Sequence, residues 1–129
     1  MVAAMNSIGY FEIQASDPAR AIAFYERVFG WRFHDPGDKP IAYWEISEAG
    51  IRGGLLGRPV PVPEGPAGTN AYVCSVEVAD FDATAKVILA AGGIVAMDKF
   101  AVPGVCWQGY FQDTEGNTLG IFQPDESAG

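Results

Sequence analysis

Ser16-Asp17-Pro18-Ala19-Arg20-Ala21-Ile22-Ala23-Phe24-Tyr25-Glu26-Arg27-Val28-Phe29-Gly30-Trp31 carries the start, body and stop of one helix. Asp17 can accept hydrogen bonds from the unpaired amides of a first turn, and Pro18 suits the first helical position because its missing N–H is not needed there. Ala21, Phe24, Tyr25, Val28 and Phe29 then recur at helical spacing, which predicts an apolar stripe turned toward a sheet, and Gly30 supplies the stop. The same grammar returns at Ala79-Asp80-Phe81, where Phe81, Ala85, Ile88 and Leu89 share a helical face before Gly92-Gly93. Asp17 and Asp80 lie 63 positions apart, and so do Gly30 and Gly93. An equal offset at both ends of the unit indicates a duplicated module of about half the chain.

The flanking sequence completes each module. Ile8-Gly9-Tyr10-Phe11-Glu12-Ile13-Gln14 alternates, so Phe11 and Ile13 belong to one face of a strand and Tyr10, Glu12 and Gln14 to the other. After the first helix, residues 31–34, 41–46 and 54–56 read as strands, punctuated by Asp35-Pro36-Gly37-Asp38 and Glu48-Ala49-Gly50. The proline- and glycine-dense segment 58–69 reads as a linker. Beyond it, residues 71–78, 94–96, 105–111 and 118–122 read as strands around the second helix. The prediction is therefore an α+β domain over 1–129 built from two βαβββ modules. Module one covers about 7–57 and module two about 70–124, with a frayed tail at 125–129 and site-shaping loops near 35–40 and 98–104.

Composition narrows the function. The 129 residues are 49% hydrophobic and 19% charged, enough for an ordinary core. A formal net charge of −8 repels phosphate backbones and anionic bilayers, so neither nucleic acid nor membrane is an expected partner. The N-terminal residues lack a signal-peptide pattern and no apolar run reaches membrane-spanning length, which points to a cytoplasmic protein. Cys74 and Cys106 show no CxxC spacing and read as reduced, packed side chains.

The helix quoted above, together with Ala90-Ala91-Gly92-Gly93 and the turn Gln112-Asp113-Thr114-Glu115-Gly116-Asn117-Thr118-Leu119, resembles the vicinal oxygen chelate superfamily. That superfamily includes glyoxalase I, bleomycin-resistance proteins and extradiol dioxygenases. The resemblance covers nearly the whole chain and implies paired βαβββ modules whose curved sheet encloses a cleft. It further implies four metal-ligand positions: seven residues before each capping Asp, and one in the last strand of each module. In this sequence they fall on Tyr10, Val73, Gly54 and Gly120. None is an imidazole or carboxylate donor, so no metal and no other cofactor is expected. The single histidine, His34, reads as exposed or structural.

What remains for the inter-module cleft is a set of polar and aromatic groups: Tyr10, Glu12, Gln14, Trp44, Gly54, Val73, Trp107, Tyr110, Gly120 and Phe122. By alternation Leu119 and Ile121 should face the helix, and Phe122 the cleft. Glycines at Gly54 and Gly120 should leave room where the family carries ligands. Glu12 is the candidate catalytic residue, because a carboxylate among aromatics resists ionisation and becomes a usable general base or a ligand anchor. The expected function is metal-free binding of a small apolar or aromatic molecule by a homodimer. The alternative is an enzyme (a lyase, isomerase or dioxygenase relative) with Glu12 as acid/base or with a metal site not legible in these residues.

Overall fold

A computed structural model describes residues 5–61, 72–114 and 117–129. It contains strands β1 (Ile8–Ala15), β2 (Arg32–His34), β3 (Tyr43–Ser47), β4 (Arg52–Gly57), β5 (Val73–Glu77), β6 (Ile94–Val102), β7 (Cys106–Gln112) and β8 (Thr118–Pro124), with helices α1 (Pro18–Phe29) and α2 (Phe81–Ala90). The order is βαβββ twice, an α+β fold. Both helices start as the sequence dictates: Asp17 accepts from the Arg20 amide at 3.1 Å and Asp80 from the Ala83 amide at 3.0 Å. Gly30 ends α1 at φ 71°, a left-handed conformation that costs glycine nothing.

The chain forms two compact units, Tyr10–Tyr72 and Met1–Gly9 with Val73–Gly129. In the first, the strands run in the order β2-β3-β4-β1, with β1 parallel to β4 and the other pairings antiparallel. In the second the order is β5-β8-β7-β6, with β5 parallel to β8 and the rest antiparallel. The first residues of β1 and the segment before it go with the second unit, where Asn6 donates to the Glu77 carbonyl and Glu77 donates back to Ser7. Most of the linker expected at 58–69 lies outside the described residues, as do Glu115 and Gly116 of the turn.

Each module has a helix face and a helix-free face. In module one the helix face carries Phe11, Ile13, Ile46 and the fully buried Leu55. Phe11 meets Trp31, which stacks on Tyr25 of α1 with centroids 5.2 Å apart. In module two Val78, Phe81, Phe111 and Ile121 form the core, with Ala85 and Ile88 of α2, Trp107 and Leu119 packed against it. Leu119 and Ile121 therefore face the helix, as alternation required.

Three local expectations are overturned. The α1 stripe does not bury as a unit: Phe24, Val28 and Phe29 are exposed, and α1 has no buried residue, so only Ala21 and Tyr25 of the expected stripe turn partly inward. Residues 98–102, read as a loop, continue β6, whose register shifts before Phe100 absorb the irregularity. The 125–129 tail is docked rather than frayed. Asp125 accepts from Trp107 Nε1 (3.0 Å) and from the Ser127 amide and hydroxyl, Gly104 donates to the Ala128 carbonyl, and Ala128 is buried. A Pro-Asp-Glu-Ser-Ala-Gly composition gives no hint of these tertiary partners.

Candidate functional site

Strand register decides which side chains share a surface, since residues directly opposite one another project to the same side. On the helix-free face of module one, Glu12 pairs with Gly54 and Gly54 with Glu45; Tyr10 pairs with Arg52, and Gln14 with Leu56, which pairs with Tyr43. His34 stands opposite Glu45 at the outer strand. Tyr10, Glu12, Gln14 and Gly54 are thus brought to one surface as expected. Trp44 is not: its partner is Leu55, and it lies on the helix side. The sequence showed aromatics in β3 but not the registration that chooses between neighbours, and it is Tyr43 that takes the helix-free position.

Tyr10 and Tyr43 approach from the two rows flanking Gly54 and join their hydroxyls over it at 2.8 Å. A Cβ at Gly54 would overlap the Tyr10 hydroxyl and the Tyr43 ring edge. The expectation that this glycine leaves open room is therefore corrected: the space is taken by two phenols, and glycine is what lets them meet. Burial pushes the Tyr43 hydroxyl above its ordinary value of 10.0, the Tyr10 hydrogen bond opposes that rise, and the carboxylates of Glu12 and Glu45 add to it, with Arg52 opposing weakly.

Module two repeats the construction with other side chains. Ser75 pairs with Gly120, Gly120 with Tyr110, and Phe122 with both Gln108 and Glu77. Gln108 Nε2 donates to Ser75 Oγ at 3.1 Å, with Ser75 0% and Gln108 6% exposed. A Cβ at Gly120 would overlap Ser75 Oγ and press on the Gln108 amide and the Tyr110 ring. Tyr110, Gly120 and Phe122 share this helix-free surface, and Val73 takes the same side of β5 as Ser75 by alternation. Trp107 is again on the helix side, held by Asp125 and lying 4.7 Å from the Lys99 ammonium. Sequence reading missed Ser75 and Gln108, although Ser75 stands 63 positions after Glu12 and so occupies the same place in its module.

The two modules share strand order and place a glycine opposite Glu12 in one and Ser75 in the other. The family model of the glyoxalase/bleomycin resistance protein/dioxygenase superfamily matches residues 7–121. The chain belongs to this superfamily. A glyoxylase-like domain-containing protein from Didymella fabae is 31% identical over 123 residues, covering 90% of this chain and 92% of that protein. Among solved structures, methylmalonyl-CoA epimerase from Mycobacterium tuberculosis superposes with a TM-score of 0.61 at 17% identity, covering 97% of this chain and 93% of the other. The Mn(II)-bound glyoxalase from Novosphingobium aromaticivorans gives 0.64 at 18% identity, over 97% of this chain but 40% of its own. At such identities these two structures establish the fold alone.

The superfamily implies a divalent metal, and the residues at the corresponding positions do not fit one. Val73, Gly54 and Gly120 offer no side-chain donor, the Tyr10 hydroxyl is engaged with Tyr43, and the volume over both glycines is filled. Among the described residues no three His, Cys, Asp or Glu side chains come together as a metal-holding group, and no helix is long and apolar enough to cross a membrane.

Proposed function

We propose that this superfamily member binds a small apolar or aromatic molecule without a divalent metal, and that the contact is made on the helix-free face of module one. The observation that carries this reading is the pair of hydroxyls over Gly54, where the fold's metal chemistry would need an acidic or imidazole donor. Phenolic rings supply apolar contact area, their hydroxyls supply orientation, and Glu12 and Gln14 beside them supply polar selection. The buried Ser75–Gln108 pair of module two is spent on internal hydrogen bonding and serves as scaffold. A native mass spectrum of the purified protein tests this: a co-purified organic mass, or uptake of an added aromatic compound that Tyr43→Phe weakens, is expected. A stoichiometric transition metal in the intact protein would overturn it.

A second reading has a specific observation in its favour. Glu12 is half-buried on the same face and close enough to Tyr43 to shift its ionisation, an arrangement suited to moving a proton on a bound molecule. If Glu12 is an acid/base group, Glu12→Gln removes turnover while affinity persists, whereas a binder shows no turnover in either form. The same account includes a cytoplasmic homodimer with neither nucleic acid nor membrane as partner. The exposed Phe24 and Phe29 of α1 (56% and 58%) favour association, and sedimentation of the purified protein tests it.

A further inference from the structure

The charged residues around the hydroxyl pair carry information about its ligand beyond size and apolarity. Glu45, Gly54 and Glu12 form one cross-strand row on β3, β4 and β1. Adjacent strands lie about 4.8 Å apart, so the backbones of the two acidic residues flank Gly54 on either side and their side chains share its face. The Tyr10 and Tyr43 hydroxyls stand over that same glycine. A polar group that docks on the hydroxyls therefore lands between two carboxylates.

We infer that this face selects cationic and neutral small molecules over carboxylates and phosphates. The inference rests on the binding role proposed above and narrows its ligand class. Arg52 neighbours Tyr10 and is exposed; Arg32 and His34 are on the outer strand β2, opposite Ser47 and Glu45. At the centre of the row Glu12 and Glu45 both push the Tyr43 hydroxyl upward, and Arg52 opposes them. The field at the docking point thus disfavours added negative charge, in the sense expected of a chain carrying −8 overall. The difference is local rather than global, because it is set by two named side chains on strands adjacent to Gly54, inside the screening length of about 8 Å at physiological salt.

The experiment uses three probes of one shape, benzylammonium, benzyl alcohol and benzoate, titrated into the full chain near pH 7.5 at physiological ionic strength and followed by NMR shifts of the tyrosine rings. Two carboxylates on the strands adjacent to Gly54 should make the ammonium bind about tenfold more tightly than the carboxylate, with the alcohol between them. The double variant Glu12→Gln, Glu45→Gln should bring the three affinities together, and Glu26→Gln, on the exposed side of α1, should leave the ranking intact. Benzoate binding as tightly as benzylammonium, or a ranking unchanged in the double variant, overturns the charge selection while the binding role stands. Absence of shifts with all three probes at millimolar concentration overturns both together.

Discussion

Modules one and two share their element order, their strand order and a glycine at the same place in the last strand, yet they fill the space over that glycine differently. Over Gly54 stand two long aromatic side chains that are only half-buried and that end in hydroxyls. Over Gly120 stand a short serine and a glutamine sealed from solvent, with the edge of the Tyr110 ring beside them. The duplicated backbone is thus a frame with one adaptable face and one fixed face. Tyr10 and Tyr43 reach the glycine with the far ends of long side chains, whereas Ser75 reaches its glycine with an Oγ one bond from its Cβ.

The sharpest way to break this contrast is to add one methyl group at each glycine. Gly120→Ala forces Ser75 and Gln108 apart in a closed site and should cost about 2–3 kcal/mol, while Gly54→Ala meets the mobile ends of Tyr10 and Tyr43 and should cost no more than about 1 kcal/mol. Urea denaturation midpoints measure both, and equal losses would erase the distinction. Removing a hydrogen-bonding partner should show the same order. Gln108→Leu leaves the fully buried Ser75 hydroxyl short of a partner, at about 1–3 kcal/mol, whereas Tyr43→Phe in the half-buried pair should stay under about 1 kcal/mol.

The fold itself was legible from particular residues. Asp17, Pro18 and Gly30 bound α1 as read, and the 63-residue offset paired Tyr10 with Val73 before any register was known, although it was not carried two residues on to Glu12 and Ser75. Alternation correctly grouped Tyr10, Glu12 and Gln14. It could not choose between Tyr43 and Trp44, because adjacent aromatics in a strand are distinguished only by the pairing with β4. Nor could a sequence show that the glycines are filled by neighbours, since Tyr10 and Tyr43 are 33 positions apart and meet only through strand order. The docked tail escaped notice for a related reason: Asp125 finds Trp107 on another strand.

Smaller effects separate the modules by pH. In the compact unit Tyr10–Tyr72 the Tyr72 phenol is pushed up to about 12, first by loss of solvent and then by its hydrogen bond to Tyr25. Tyr43 is raised as well. A raised phenol contributes stability that is fully present below its unfolded value near 10 and is lost as pH climbs through the folded one, so the compact unit Tyr10–Tyr72 should weaken between about pH 10 and 12. Absorbance titration of the tyrosines should find Tyr72 ionising near the end, and Tyr25→Phe should bring it earlier. In module two Asp125 is lowered, chiefly by the Ser127 hydroxyl and then by the Ser127 amide and Trp107. Its contribution is present above the ordinary 3.8 and is lost as pH falls through the lowered value. Trp107 fluorescence should therefore change in acid, and Asp125→Asn should remove that change. An acid transition that survives the substitution would place the tail's anchor elsewhere.

The central claim is that hydrogen-bonded side chains occupy the positions from which this superfamily holds a metal. Elemental analysis of the protein, after incubation with Zn(II), Ni(II), Mn(II) or Fe(II) and removal of loosely held ions, tests it most directly. The account predicts far less than one metal per chain under every condition; close to one tightly held metal per chain would contradict it.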